Sequence, residues 1–69
     1  MADATIKLNG ETRSIPANIS LDKLLDHFSL GKQLVAIELN GAVVRRATWQ
    51  QTLIADGDKI EVVHFVGGG

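Results

Sequence analysis

Asp56-Gly57-Asp58-Lys59-Ile60-Glu61-Val62-Val63-His64-Phe65-Val66-Gly67-Gly68-Gly69 is the stretch that decides the fold. It opens on a turn, because glycine between two aspartates tolerates positive φ. It then alternates, as a strand with two unlike faces does. Ile60, Val62, His64 and Val66 fall on one side, and Lys59, Glu61, Val63 and Phe65 on the other. Three glycines follow, which can build no core but make a thin, pliable strip of backbone. Such a strip can enter a channel too narrow for any side chain.

Working back from this strand, Lys32 to Leu39 carries Val35, Ile37 and Leu39 in alternation, ending at Asn40-Gly41. Asn-Gly is a strong hairpin signal, since both residues accept the left-handed conformation of a two-residue turn. That turn pairs Ala42 with Leu39 and Val44 with Ile37, a register that keeps small and apolar residues on one face. Ala47 to Gln51 reads as a short helical turn holding Trp49, which is expected in the core beneath a sheet edge. Upstream, Leu21, Leu24, Leu25 and Phe28 fall at i, i+3, i+4 and i+7, one apolar face of a helix. Ser20 is placed to cap it, Asp22 to favour its dipole and Gly31 to end it. So short a helix cannot stand alone in water and must lie on a sheet.

The chain begins with a second hairpin. Thr5-Ile6-Lys7-Leu8 alternates, Asn9-Gly10 turns, and Thr12 to Ile15 returns. A two-residue turn would set Arg13 opposite Ile6 on the core face. A three-residue loop, Asn9 to Glu11, would set Ser14 there. The longer loop is favoured, because an unpartnered arginine in a core is costly.

The order is therefore hairpin, helix, hairpin, helical turn, strand. Joining the first and last strands as parallel neighbours at the centre gives an α+β fold, a mixed sheet packed on one helix, which is the β-grasp or ubiquitin-like arrangement. Residues 1–66 are expected to form this domain and residues 67–69 a flexible glycine tail.

Composition narrows the function. The chain has 69 residues, enough for one small domain and too few for a deep cleft with its own lid. Hydrophobic residues make up 45%, ample for a core. Seven basic and eight acidic side chains leave a net charge of −1, which gives no electrostatic footprint for nucleic acid. The Arg45-Arg46 pair reads as solvated surface. Without cysteine there is no disulfide framework, Cys-based zinc site or cysteine-ligated cluster, and a cytoplasmic location is expected. No secretory leader is visible and no apolar run is long enough to cross a bilayer. His27 and His64 are the only histidines and lack carboxylates at ligand spacing, so no metal site is expected. No serine falls in a nucleophile arrangement, and neither Asn-Gly pair matches a phosphate loop. Val63 and Phe65, on the strand face turned away from the helix, form a candidate docking patch.

The chain resembles the ThiS sulfur carriers of thiamin thiazole biosynthesis. The resemblance spans essentially the whole sequence and rests on Ile6-Lys7-Leu8-Asn9-Gly10, Val35-Ala36-Ile37-Glu38-Leu39-Asn40-Gly41, Trp49, and above all Asp56 to Gly69. One departure is Arg45, where many relatives carry proline before the arginine matching Arg46. The resemblance implies a carrier and co-substrate, not an enzyme. It implies that an E1-like adenylating enzyme of the ThiF type uses ATP and magnesium to adenylate the Gly69 carboxylate. Sulfur from a cysteine desulfurase system then converts it to a thiocarboxylate, and a ThiG-type thiazole synthase receives the sulfur. Val66, Gly67, Gly68 and Gly69 would enter the partner active sites, with Val63 and Phe65 at the docking surface. No permanently bound cofactor, nucleic acid or membrane is implied. Two other readings also place the chemistry at the tail: the small subunit of molybdopterin synthase, with the same tail chemistry and a different sulfur acceptor, and a ubiquitin-like protein modifier whose tail forms an isopeptide bond with lysine. A plain interaction module with an idle tail is the third.

Overall fold

The computed structural model describes residues 3–65. It contains strands β1 (Asp3–Leu8) and β2 (Glu11–Pro16), helix α1 (Leu21–His27), strands β3 (Val35–Leu39) and β4 (Ala42–Val44), a 3-10 helix (Arg46–Gln51) and strand β5 (Lys59–His64). The five strands form one sheet in the order β2-β1-β5-β3-β4. β1 and β5 are parallel neighbours at its centre, and both hairpins are antiparallel. The last strand in sequence is therefore the middle strand in space, flanked by β1, the first strand of the chain, and by β3. The boundary between residues 1–66 and 67–69 lies outside the described residues.

One face of the sheet is covered by α1. Ile6, Ile15, Leu21, Leu24, Leu25, Ile37 and Ile60 are fully buried there. Three of these are the helical residues expected from the i, i+3, i+4 spacing. Phe28 is only half-buried at the margin of the same cluster. Trp49 fills the gap between the 3-10 helix and the core, and its Nε1–H donates to the Val44 carbonyl at 2.9 Å, which satisfies the polar atom of a buried indole. The segment after the 3-10 helix runs beside the entry to α1. The Ile54 N–H donates to the Ile19 carbonyl at 2.9 Å and the Leu21 N–H to the Thr52 carbonyl at 3.0 Å. This strap carries Ile54 into the core, a contribution that no periodicity in the sequence announces.

Ser20 caps α1 as expected: its side chain accepts from the Lys23 N–H at 3.2 Å. The C-terminus differs from expectation. The residue that turns left-handed is Ser29, at φ +57, and not Gly31. Phe28 closes the helix, the Ser29 N–H donates to the Asp26 carbonyl at 3.0 Å, and the Leu30 N–H reaches back to the Leu25 carbonyl at 2.7 Å. This is the paired bond pattern of a Schellman cap, with Leu30 packed against the core as its hydrophobic partner. Burying Leu30 outweighs the modest cost of a left-handed serine, so the helix stops at His27, shorter than the spacing suggests.

The second hairpin has the expected register, Leu39 with Ala42 and Ile37 with Val44. The first does not have the favoured one. Ile6 pairs with Arg13 and Thr5 with Ser14, so the connection is a strict two-residue turn at Asn9-Gly10. Asn9 and Gly10 adopt φ +50 and +84, as such a turn requires. Arg13 escapes the penalty because β2 is an edge strand. Its guanidinium lies over the Phe28 ring at 5.7 Å and bonds Glu11 at 2.9 Å, with half of the side chain in water. The stem follows the margin of the core and the charge stays solvated.

Candidate functional site

Alternation along β5 sorts its residues onto two faces. Ile60 and Val62 are buried under α1, whereas Val63 and Phe65 are 48% and 57% exposed on the open face. The candidate docking pair is thus uncovered; the 3-10 segment around Trp49 packs elsewhere. His64 keeps its place in the strand, opposite Val35, but its side chain is exposed. Val66, Gly67, Gly68 and Gly69, the expected tail, lie outside the described residues, so the site is built from the strand that leads to them.

Cross-strand register gives the open face a polarity. At the end nearest the tail, Val63 pairs with Ala36, and the Phe65 N–H continues the ladder to the Leu34 carbonyl at 2.7 Å. Leu34 is itself 53% exposed and takes the left-handed conformation, φ +53. One row further on, Glu38 pairs with Glu61, with exposed Val43 beyond on β4. A last row holds Lys59 beside Lys7. The face therefore runs from an apolar end, where the chain leaves the sheet, to a charged end. Like charges directly opposite destabilise a sheet by a few tenths of a kcal/mol, and Glu38 and Glu61 sit where solvent screens them.

The strand is anchored at its start as well. Asp56 Oδ1 accepts the Thr5 N–H at 2.7 Å, and Gly57, at φ +87, donates its N–H to the Thr5 carbonyl at 2.7 Å. Asp58 Oδ2 accepts the Ala55 N–H at 2.8 Å. The Asp-Gly-Asp turn is thus a lock between the beginnings of β1 and β5. Two asparagines, read from sequence as turn residues alone, also hold β5. Asn40 Oδ1 accepts the Lys59 N–H at 2.8 Å on the β3 side, and Asn9 Oδ1 accepts the Val62 N–H at 2.7 Å on the β1 side. The signal available in the sequence was the choice of Asn in both turns, the one residue that supplies positive φ together with a peptide-like side chain.

Among the described residues the remaining groups make no catalytic constellation. His27 packs edge-on against Phe28 at 4.8 Å. Among the described residues no group of three metal-ligating side chains comes together. Arg46 stacks on Trp49 at 4.5 Å, so the basic pair is divided between surface and packing. The Lys32 ammonium lies between Asp26 at 3.1 Å and Asp22 at 3.2 Å. Hydrogen bonds to Asp26 and then Asp22 raise its pKa above the ordinary 10.5. This staples the loop after α1 and is remote from β5. Two surface depressions among the described residues, about 230 Å³ beside Glu38, Gly41, Lys59 and Glu61 and about 490 Å³ between Leu8, Asn9 and Phe28, gather no nucleophile and base. No helix of the described residues is long and apolar enough to cross a membrane.

A mixed five-strand sheet with α1 on one face, and a central strand that ends beside an uncovered apolar patch on the other, defines a β-grasp protein of the ubiquitin-like class. The sequence profile of the ThiS family matches residues 6–69, and the chain belongs to that family. It is 34% identical over 50 residues to the sulfur carrier protein ThiS of Bacillus subtilis, covering 72% of this chain and 76% of that one. It is 44% identical over 64 residues to a thiazole synthase of Magnetococcus marinus, covering 93% of this chain but 20% of the relative, so the chain spans about a fifth of that relative's length. The crystal structure of the thiamine biosynthesis protein ThiS from Geobacter metallireducens superposes with a TM-score of 0.82 at 29% identity, over 94% of this chain and 99% of that one.

Proposed function

We propose that this chain is the sulfur carrier of thiamin thiazole synthesis and that the reacting atom is the carbonyl carbon of Gly69. The observation that carries the reading is the family match itself, which runs without interruption from β1 through Gly69. A carboxylate resists nucleophiles because its charge is delocalised. An E1-like adenylating enzyme of the ThiF type, with ATP and magnesium, joins the Gly69 carboxylate to AMP and releases pyrophosphate. The charge is gone and a leaving group is in place. The outer sulfur of a persulfide, formed from cysteine by a desulfurase system, attacks the carbonyl carbon and expels AMP, and a thiol reductant then cleaves the S–S bond of the acyl disulfide to leave sulfur on the carbonyl. The Gly69 thiocarboxylate that results donates its sulfur to a ThiG-type thiazole synthase. A thiazole synthase that carries in its own chain a stretch 44% identical to this one supports that pairing.

Each part of the molecule has a task in this scheme. Gly67, Gly68 and Gly69 offer bare backbone, and with Val66 the four residues can reach roughly 13–14 Å when extended. This is enough to place the carbonyl inside a partner while the body stays outside. Val63 and Phe65 supply the apolar contact from which the tail is delivered, with Leu34 beside them. The protein acts in the cytoplasm, where ATP and its partner enzymes are found. No observation favours the molybdopterin or protein-modifier readings over this one.

The test is loading in vitro. Incubation with the adenylating enzyme, magnesium ATP and a sulfur source yields a sulfur-for-oxygen exchange in the intact mass. Deleting Gly69 abolishes it without unfolding the domain. Loading that persists in the truncated protein refutes the scheme.

A further inference from the structure

β1 accompanies β5 only briefly. Their parallel register covers Lys7 with Lys59 and Leu8 with Ile60. The Asn9 N–H adds one more bond, to the Ile60 carbonyl at 2.9 Å, and the chain then turns away at Asn9-Gly10. Val62 would lose its partner at this point. The Asn9 side chain takes the partner's place. Val62 donates its N–H to Asn9 Oδ1 at 2.7 Å, and Asn9 Nδ2 donates to the Val62 carbonyl at 3.3 Å. A carboxamide has the donor and acceptor of a peptide group, so it extends the ladder by one rung across 53 residues of sequence. The contact is part-buried, which strengthens it relative to one in water.

We propose that Asn9 is a positioning residue for sulfur loading: its carboxamide fixes the tail-proximal half of β5, the strand from which the adenylating enzyme takes the chain end. The proposal rests on the carrier reading above. It goes beyond that reading in assigning a function to a residue distant in sequence from Gly69. Asn40 provides the internal control. It occupies the same place in the other hairpin turn, at φ +51 against +50 for Asn9. It too accepts a β5 N–H, but at Lys59, three residues further from the tail than Val62.

The experiment compares Asn9→Gly with Asn40→Gly, at a temperature where both are folded. Glycine keeps the positive φ of either turn and removes only the carboxamide. Two readouts are taken. The first is amide hydrogen exchange at Phe65, whose own bond to Leu34 neither substitution touches, referenced to Ile37 in the core. Asn9→Gly raises it about tenfold, the value of one hydrogen bond, and Asn40→Gly leaves it unchanged. The second is sulfur-loading kinetics. Asn9→Gly raises KM for the carrier about tenfold with kcat within about twofold, since what is lost is pre-organisation. Asn40→Gly loads as wild type. Asn9→Asp keeps the acceptor for Val62 and falls between the two. A wild-type protein that fails to load sinks the carrier reading. Wild-type loading together with an unaltered KM in Asn9→Gly, or equal Phe65 exchange in the two glycine variants, overturns the role of Asn9 alone.

Discussion

Replacing Phe65 with alanine separates docking from folding. The ring is 57% exposed and lies past the end of β5, outside the buried cluster. A phenylalanine side chain offers about 200 Å² of surface, so roughly 110 Å² remains to be covered by a partner. At about 25 cal/mol per Å², full desolvation is worth about 2–3 kcal/mol, a factor of about 30–150 in Kd. The cost to the free domain is at most about 2 kcal/mol, from the roughly 90 Å² that folding already covers. Titration calorimetry against the adenylating enzyme or the thiazole synthase measures the first quantity, and chemical denaturation the second. The account expects a large loss of affinity to at least one of the two partners in a domain that is still folded. Unchanged affinity for both, or a collapse in stability, refutes the placement of Phe65 in the docking surface.

Gly69→Val leaves the melting curve untouched and abolishes sulfur loading, read by intact mass, since the branched side chain cannot follow bare backbone into the activating pocket. Leu24→Ala empties a fully buried position and costs about 2–5 kcal/mol, comparable to the whole stability of so small a domain; urea denaturation shows a domain largely unfolded or near its threshold. Trp49→Phe loses the bond to the Val44 carbonyl and the stacked Arg46, lowering stability by about 1–2 kcal/mol on circular dichroism. Lys32→Met tests the staple on α1. The folded pKa of Lys32 is raised, so its contribution is complete below 10.5 and is lost as pH climbs through the higher folded value. The stability gap between wild type and Lys32→Met therefore narrows as pH rises above 10.5. A gap that widens over that range reverses the sign of the linkage.

Much of the fold was legible because burial left the chain few choices. Leu39 to Val44 admits one register that keeps Ile37 and Leu39 inward, and that register is found. Leu21, Leu24 and Leu25 mark the inner face of α1 by spacing alone. Legibility failed where the edge of the structure relaxes a rule. Arg13 was charged with the cost of a buried cation, but an edge strand lets its head reach water. Gly31 offered the easiest left-handed residue, yet Ser29 took that role because Leu30 could then be buried. The strap through Ile54 depends on bonds to Ile19 and Thr52 that no local pattern encodes. In the candidate site, alternation sufficed to expose Val63 and Phe65. The double duty of Asn9 and Asn40 did not emerge, since a turn preference explains each residue without reference to β5. The cytoplasmic location, the nucleotide and the sulfur source are carried by the chemistry of the carrier reading and not by any side chain of the sheet.

The most direct test is tandem mass spectrometry of the protein isolated from its native cell, with fragment ions that isolate the last residues of the chain. The account predicts a population in which one oxygen of the Gly69 carboxylate is replaced by sulfur. Sulfur found on any other residue, or a Gly69 that carries none while thiazole is being made, contradicts it.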